Sequence, residues 1–221
     1  MAFHTCYGSF EWTVMLFGLS NAPAAFQQFI NEVLGDLWDV CTIGYLDNIL
    51  IYSDGIDEHW LHVSEILHCL WNAGLYANPK KCMFHTDIVE YLGFILSPEG
   101  LCMDPSKVDA IQSWPEPWNI RDVQSFLGFT NFYRHFIHEY LEMMLPLTTP
   151  WCFGDTKKKA FQHLKTTFTM APILCYWAPD LPMMVETDAS DQAITAILSV
   201  TMPDTEICPV AFSSQSLQGA K

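Results

Sequence analysis

At 221 residues, half of them hydrophobic and 16% charged, the chain is long enough for one large or two small domains with a sizeable core, and its composition excludes global disorder. Ten Lys and Arg stand against 25 Asp and Glu, a formal net charge of −15 that disfavours general binding to polyanions, because Lys and Arg supply most of a protein's affinity for phosphates. Arg121 and Arg134 are the whole arginine complement, so there is little material for a basic cleft.

Taken in order, Asn21-Ala22-Pro23 predicts a helix start, with Asn for capping and Pro in the first turn. Ala22, Ala25, Phe26, Phe29, Ile30, Val33, Leu34 and Leu37 then fall on one apolar stripe. Val40 to Tyr45 and Ile49 to Tyr52 predict two short strands around Leu46-Asp47-Asn48, a β-hairpin in which Asp and Asn tolerate the positive φ of a tight turn. Asp57 to Ala73 reads as a second helix, with Val63, Ile66, Leu67 and Leu70 inward and Gly74 as its stop. His59 and His62 are three apart and share a face, but no third and fourth ligand is spaced for zinc. Asn78-Pro79-Lys80-Lys81 is a turn, and Tyr91 to Leu96 a strand closed by Ser97-Pro98-Glu99-Gly100. Asp104-Pro105 opens a short helix to Trp114, and Asn119 caps a longer one in which Val123, Phe126, Leu127, Thr130, Tyr133, Phe136, Ile137, Tyr140 and Leu141 recur at helical spacing. Asp155 to Thr169 is one more helix, with Phe161, Leu164 and Phe168 inward and Lys157-Lys158-Lys159 on a solvated face. Met183 to Thr187, Ala193 to Val200 and Pro209 to Ser213 predict a three-stranded meander, with Asp188 closing its first strand and Asp191 in a turn.

No apolar run approaches the roughly 20 residues of a membrane-spanning helix, Val89 to Leu96 being the nearest candidate. Cys6, Cys41, Cys69, Cys82, Cys102, Cys152, Cys175 and Cys208 are scattered without a C-x-x-C pair. Met1-Ala2-Phe3-His4-Thr5 has neither a basic segment nor a long apolar run. The expectation is a protein with free thiols inside the cell, in cytoplasm or nucleus, and not secreted.

Tyr45-Leu46-Asp47-Asn48 carries a carboxylate on a hairpin tip, a rigid place from which to hold a divalent ion. Upstream runs Phe10-Glu11-Trp12-Thr13-Val14-Met15-Leu16-Phe17-Gly18-Leu19-Ser20-Asn21-Ala22-Pro23-Ala24-Ala25-Phe26-Gln27, and downstream Gly74-Leu75-Tyr76-Ala77-Asn78-Pro79-Lys80-Lys81-Cys82 and Tyr91-Leu92-Gly93-Phe94. In this order the segments resemble the reverse transcriptase of Gypsy-type LTR retroelements. Val123-Gln124-Ser125-Phe126-Leu127-Gly128 with Asn131-Phe132-Tyr133-Arg134 resembles the thumb of the same polyprotein, and Glu186-Thr187-Asp188-Ala189-Ser190 the first strand of its ribonuclease H-like domain. The resemblance implies an α+β fold. It comprises a partial palm over 1–100 (an antiparallel sheet plus helices), helical thumb and connection over 101–150, and the N-terminal strands of an RNase H-like domain over 151–221.

It also implies an RNA-directed DNA polymerase using Mg²⁺ or Mn²⁺, with RNA/DNA template-primer and dNTPs as partners. Phe17 and Gly18 match the loop beneath the incoming nucleotide, where the missing Cβ of Gly18 admits the base pair, though Leu16 stands where the family usually has Pro. Lys81 matches a Lys near the nucleotide phosphates that protonates pyrophosphate. Two-metal nucleotidyl transfer needs several carboxylates around ions about 3.5–4 Å apart. Of the family's three polymerase acids only Asp47 has a counterpart, because Asn48 replaces the second hairpin Asp and no Asp precedes Asp36. Asp188 matches the first acid of the RNase H-like cluster, whose later members would lie beyond Lys221. The expectation is therefore a truncated, degenerate copy, inactive as it stands. The rival readings are a binding remnant retained by a host, and an active enzyme completed by a longer product.

Where family sequences usually read Thr-Ala-Phe-Arg-Thr-Arg-Tyr-Gly, this one reads Met1-Ala2-Phe3-His4-Thr5-Cys6-Tyr7-Gly8. Each difference needs one C-to-T change on one strand or the other, as do Leu16 for Pro, Asn48 for Asp, and Cys102, His135, Trp60 and Trp71 for Arg. Cytosine deamination would account together for the missing Arg and the surplus of Cys and Trp.

Overall fold

The computed structural model describes residues 2–16, 18–148, 154–190 and 193–217, and the chain divides into two compact units, residues 1–86 and 87–221. The architecture is α+β: short antiparallel sheets and amphipathic helices around one apolar cluster in each unit.

The first unit opens with a hairpin not anticipated from sequence, β1 (Ala2–Thr5) against β2 (Gly8–Glu11), turned at Cys6-Tyr7 by a Gly8 φ of +131°. Helix α1 (Ala22–Leu34) follows. Pro23 sits in its first turn as expected, but the Asn21 side chain makes no cap, since Asn21 already has helical φ and ψ. The apolar stripe is narrower than expected: Ile30 and Leu34 are buried, whereas Ala25 and Phe29 are exposed on its margin. The hairpin β3 (Thr42–Tyr45) and β4 (Asn48–Ile51) leads into α2 (Ile56–Asn72). Val63, Ile66 and Leu70 of α2 are buried, but Leu67 lies on the flank of their face and remains exposed. Gly74, at φ +74°, stops the helix, with its N–H on the Trp71 carbonyl and the Leu75 N–H reaching back to that of Leu70. Ile30, Leu34, Cys41, Ile66 and Leu70 form the cluster between α1, the hairpin and α2. Each such aliphatic side chain contributes about 1.5–3 kcal/mol when fully buried.

In the second unit the strand expected over Tyr91–Leu96 is split. Leu92 and Gly93 both take positive φ and make a two-residue hairpin turn, giving β5 (Val89–Tyr91), β6 (Phe94–Ser97) and β7 (Gly100–Met103) in one antiparallel sheet. Helix α3 (Pro105–Gln112) is capped by Asp104, whose carboxylate accepts the Ser106 N–H. The long helix expected after Asn119 is two. Asn119 caps α4 (Ile120–Phe132), a turn of 3-10 helix spans Arg134–Phe136, Ile137 is extended, Glu139 takes φ +55°, and α5 (Tyr140–Thr148) begins afresh. The helical spacing still identified the buried set: Val123, Phe126, Thr130, Tyr133, Phe136, Ile137 and Tyr140 all point into the core.

Helix α6 (Asp155–Thr169) corrects another expectation: Lys158 and Lys159 are exposed, but Lys157 retains only 6% of its surface. It lies four residues before Phe161 and seven before Leu164, hence on the buried stripe. The meander is β8 (Met183–Ala189), β9 (Ala193–Thr201) and β10 (Ile207–Ser216), in the order β10-β9-β8. Asp188 lies within β8 rather than after it. The boundary expected at Pro150 and the turn role of Asp191 fall outside the described residues.

Candidate functional site

Tyr45 pairs with Asn48, so the hairpin turn is Leu46-Asp47 alone. Asn48 begins the second strand, and the residue with positive φ is Leu46, at +54°, rather than Asp47 or Asn48. A branched apolar residue in that region is strained by about 1–2 kcal/mol, and a partner must hold it there. Gln27 of α1 is that partner. Its Oε1 accepts the Leu46 N–H at 2.8 Å, and its Nε2 donates to the Gly44 carbonyl at 3.2 Å and to Asn31 Oδ1 at 2.9 Å. Below the turn, Thr42 Oγ1 donates to the Leu50 carbonyl, and Gly44 lies against the Trp38 ring, 3.4 Å from where a Cβ would stand. The tip is thus fixed to a helix through one amide side chain.

Asp47 and Asn48 both face solvent at this tip. A carboxylate there offers hard anionic oxygens to a divalent ion, whereas Asn48 offers only a neutral amide oxygen. Among the described residues no group of three or more His, Cys, Asp or Glu is arranged to hold a metal. The donor set does not fit a two-metal centre.

The other predicted site residues lie elsewhere. Gly18 has φ +89° and open space around its Cα, so backbone geometry by itself asks for glycine; Phe17 lies outside the described residues. Lys81 is exposed in the expected turn, its N–H on the Asn78 carbonyl at 2.9 Å. Neither Lys81 nor Asp47 enters an ion pair among the described residues. Asp188, in the second unit, is exposed on β8 opposite Thr195, and its Oδ1 accepts the Ala189 N–H at 2.9 Å.

His59 and His62 turn their Nδ1 atoms onto one hydroxyl, Ser53 Oγ, at 3.3 and 2.6 Å. The His85 ring meets His59 edge-on at 5.2 Å, and His62 Nε2 lies 3.8 Å from Glu58. Burial foremost, then the fields of His85 and His62, push the His59 pKa below the ordinary histidine value. This arrangement ties the β4–α2 connection to the helix. Of these contacts the Gln27 clamp was missed from sequence; its one signal was an amide pair, Gln27-Gln28, inside an amphipathic helix.

A family model described as reverse transcriptase (RNA-dependent DNA polymerase) matches residues 1–96, and a second, described as the RNase H-like domain found in reverse transcriptase, matches residues 153–221. Two Schizosaccharomyces pombe proteins, the Transposon Tf2-7 and Tf2-3 polyproteins, are each 34% identical over 227 aligned residues covering the whole chain. The chain spans 17% of the length of these relatives. The fold is similar to that of the foamy viral protease-reverse transcriptase in complex with dsDNA, with a TM-score of 0.82 and 22% identity over 98% of this chain and 46% of that one. The same viral protein in complex with RNA/DNA hybrid gives 0.80 and 23%, over 98% and 30%.

Proposed function

This chain belongs to the reverse transcriptase and RNase H-like region of Gypsy-type LTR retroelement polyproteins, and from that premise we propose that it is an RNA-directed DNA polymerase by descent whose hairpin site does not carry out nucleotidyl transfer. The observation that carries this reading is Asn48 at the tip. The family's chemistry places two divalent ions against several carboxylates, and here Asp47 is accompanied by an amide. Gly18 keeps the backbone freedom suited to the nucleotide loop and Lys81 the ammonium suited to the phosphates, so this part of a dNTP framework outlasts the carboxylate that would help hold the metal ions. Asp188, the counterpart of the first RNase H acid, belongs to no group of three or more metal-ligating residues among those described. Template-primer and dNTPs are the partners this descent supplies, and the net charge of −15 supports weakened binding to both. The free thiols among the described cysteines support an intracellular location.

Decay by C-to-T change accounts for the substitutions. His4, Cys6, Trp60, Trp71 and His135 are all exposed, Trp60 by 58% and Trp71 by 63%, where a long cation suits water better than an indole or thiol. Sister copies in genomic DNA test this: transitions should dominate the differences, and equal numbers of transversions would overturn it. Primer extension on an RNA template with Mg²⁺ or Mn²⁺ tests the inactive reading. The expected outcome is no product above the no-enzyme control, and robust synthesis refutes it.

A further inference from the structure

We propose that Cys175 and Cys208 are a redox site of this chain, a pair of thiols converted reversibly to a disulfide by exchange with a low-molecular-weight disulfide such as glutathione disulfide. The backbone brings the two together although β8 and β9 lie between them in sequence. The Cys175 N–H donates to the carbonyl of Pro209, the residue next to Cys208, at 2.8 Å. The two thiols are hydrogen-bonded to each other. Cys41, Cys82 and Cys102 instead direct their thiols to backbone carbonyls, those of Leu37, Asn78 and Ile95. Both members of the pair have anchored flanks. The Leu174 amide and carbonyl pair with Leu101 of β7, and the Tyr176 hydroxyl donates to the Ser97 and Gly100 carbonyls. Cys208 lies in β10 opposite Val200, beside the irregular register between Pro209 and Ala211. Residues 174–176 thus run between β7 and β10, bonded to both.

Both side chains are half-buried, and what selects them is their contact with each other. The Cys175 thiol is pushed up to about 11, by burial first, then by the hydrogen bond and negative charge of Cys208, and by Glu206. Cys175 therefore keeps its proton near neutral pH, and the first attack falls to Cys208. The Cys208 thiolate bonds to one sulfur of glutathione disulfide and expels the other half as a thiolate. That step takes away the hydrogen bond and the charge with which Cys208 raised its neighbour. Cys175 then loses its proton, attacks the Cys208 sulfur and expels the second glutathione. In balance, two protein thiols and one glutathione disulfide become one protein disulfide and two glutathione thiols, which carry off the two hydrogens. The new bond fixes residues 174–176 to β10 and closes the intervening chain as a loop, which restricts the unfolded ensemble and stabilises the fold.

The test equilibrates the 221-residue chain with mixtures of glutathione and glutathione disulfide, in buffer and in guanidinium chloride, then traps free thiols by alkylation and maps chymotryptic peptides by mass spectrometry. In buffer the chain should become lighter by two hydrogens, and the peptides holding Cys175 and Cys208 should be the main cross-linked pair. That pair should be several-fold more abundant than in guanidinium chloride, where every cysteine meets every other. The melting temperature should rise on oxidation and return with dithiothreitol. Cys175→Ser should stop at the mixed disulfide, with glutathione retained on Cys208. A Cys175–Cys208 cross-link no more frequent in buffer than in denaturant overturns the proposal. So does a chain in buffer whose Cys175 and Cys208 end as free thiols, as mixed disulfides, or bonded to other cysteines such as Cys102.

Discussion

Replacing Gln27 with Ala should loosen the hairpin tip more than any change at the tip itself. Two hydrogen bonds to the hairpin disappear, Leu46 N–H to Oε1 at 2.8 Å and Nε2 to the Gly44 carbonyl at 3.2 Å. Each contributes about 0.5–1.5 kcal/mol net, so the loss amounts to ~1–3 kcal/mol, with the upper end reached if the Leu46 N–H finds no water. Leu46 adds to the effect, because its φ of +54° is a conformation it leaves once nothing holds its amide. Urea unfolding of the full chain gives the stability change, and hydrogen exchange at the Leu46 amide locates it. Gln27→Glu separates the two bonds: the carboxylate still accepts from Leu46 but cannot donate to Gly44, so Leu46 protection should survive while part of the stability is lost. If Gln27→Ala shifts stability by less than about 0.5 kcal/mol, the range of an ordinary surface substitution, and Leu46 exchanges as before, the clamp does not exist.

In the second unit, Gly100 takes φ +139°, and a Cβ there would collide with the carbonyl oxygen of Leu174, whose amide and carbonyl both pair with Leu101. Gly100→Ala should therefore lower the melting temperature markedly, and an unchanged Tm would show that this strand junction yields at no cost. The lowered pKa of His59 makes stability pH-dependent with a definite sign. Above the ordinary value of 6.5 the group is neutral whether folded or not; as pH falls through 6.5 the unfolded chain takes up the proton first, so stability declines. Ser53, His62, His85 and, through His62, Glu58 surround it; His59→Gln should flatten the decline between pH 7 and pH 5 in urea titrations, and an equally steep decline in the variant would exclude His59 as its source. Asn48→Asp should leave primer extension at background, because two carboxylates at the tip still fall short of a two-metal donor set; product formation would show that the amide was the sole defect.

Local signals were the legible ones. Asn119 three residues before Asp122, Asp104 before Pro105, and Gly74 after α2 each act on their own turn of chain, and each does in the structure what its chemistry suggests. Apolar spacing identified which side chains are buried between Val123 and Tyr140, yet not that the backbone breaks there, because a 3-10 turn and one residue of positive φ can hand the same face from α4 to α5. Lys157 was misread for the complementary reason. Three consecutive lysines suggest a solvated face, but on a helix consecutive residues are about 100° apart, so the stripe set by Phe161 and Leu164 had to claim one of them. Identity of a site residue is readable wherever it changes charge, as Asn48 does beside Asp47. Its placement is another matter: Leu46 is held by Gln27 across 19 positions of chain, and no period or spacing rule links an amide in a helix to a backbone N–H in a later turn. The charge at the hairpin tip is thus a property of single residues, Asp47 and Asn48, whereas its shape belongs to a long-range contact. The fold of this tip therefore depends on the second and not on the first.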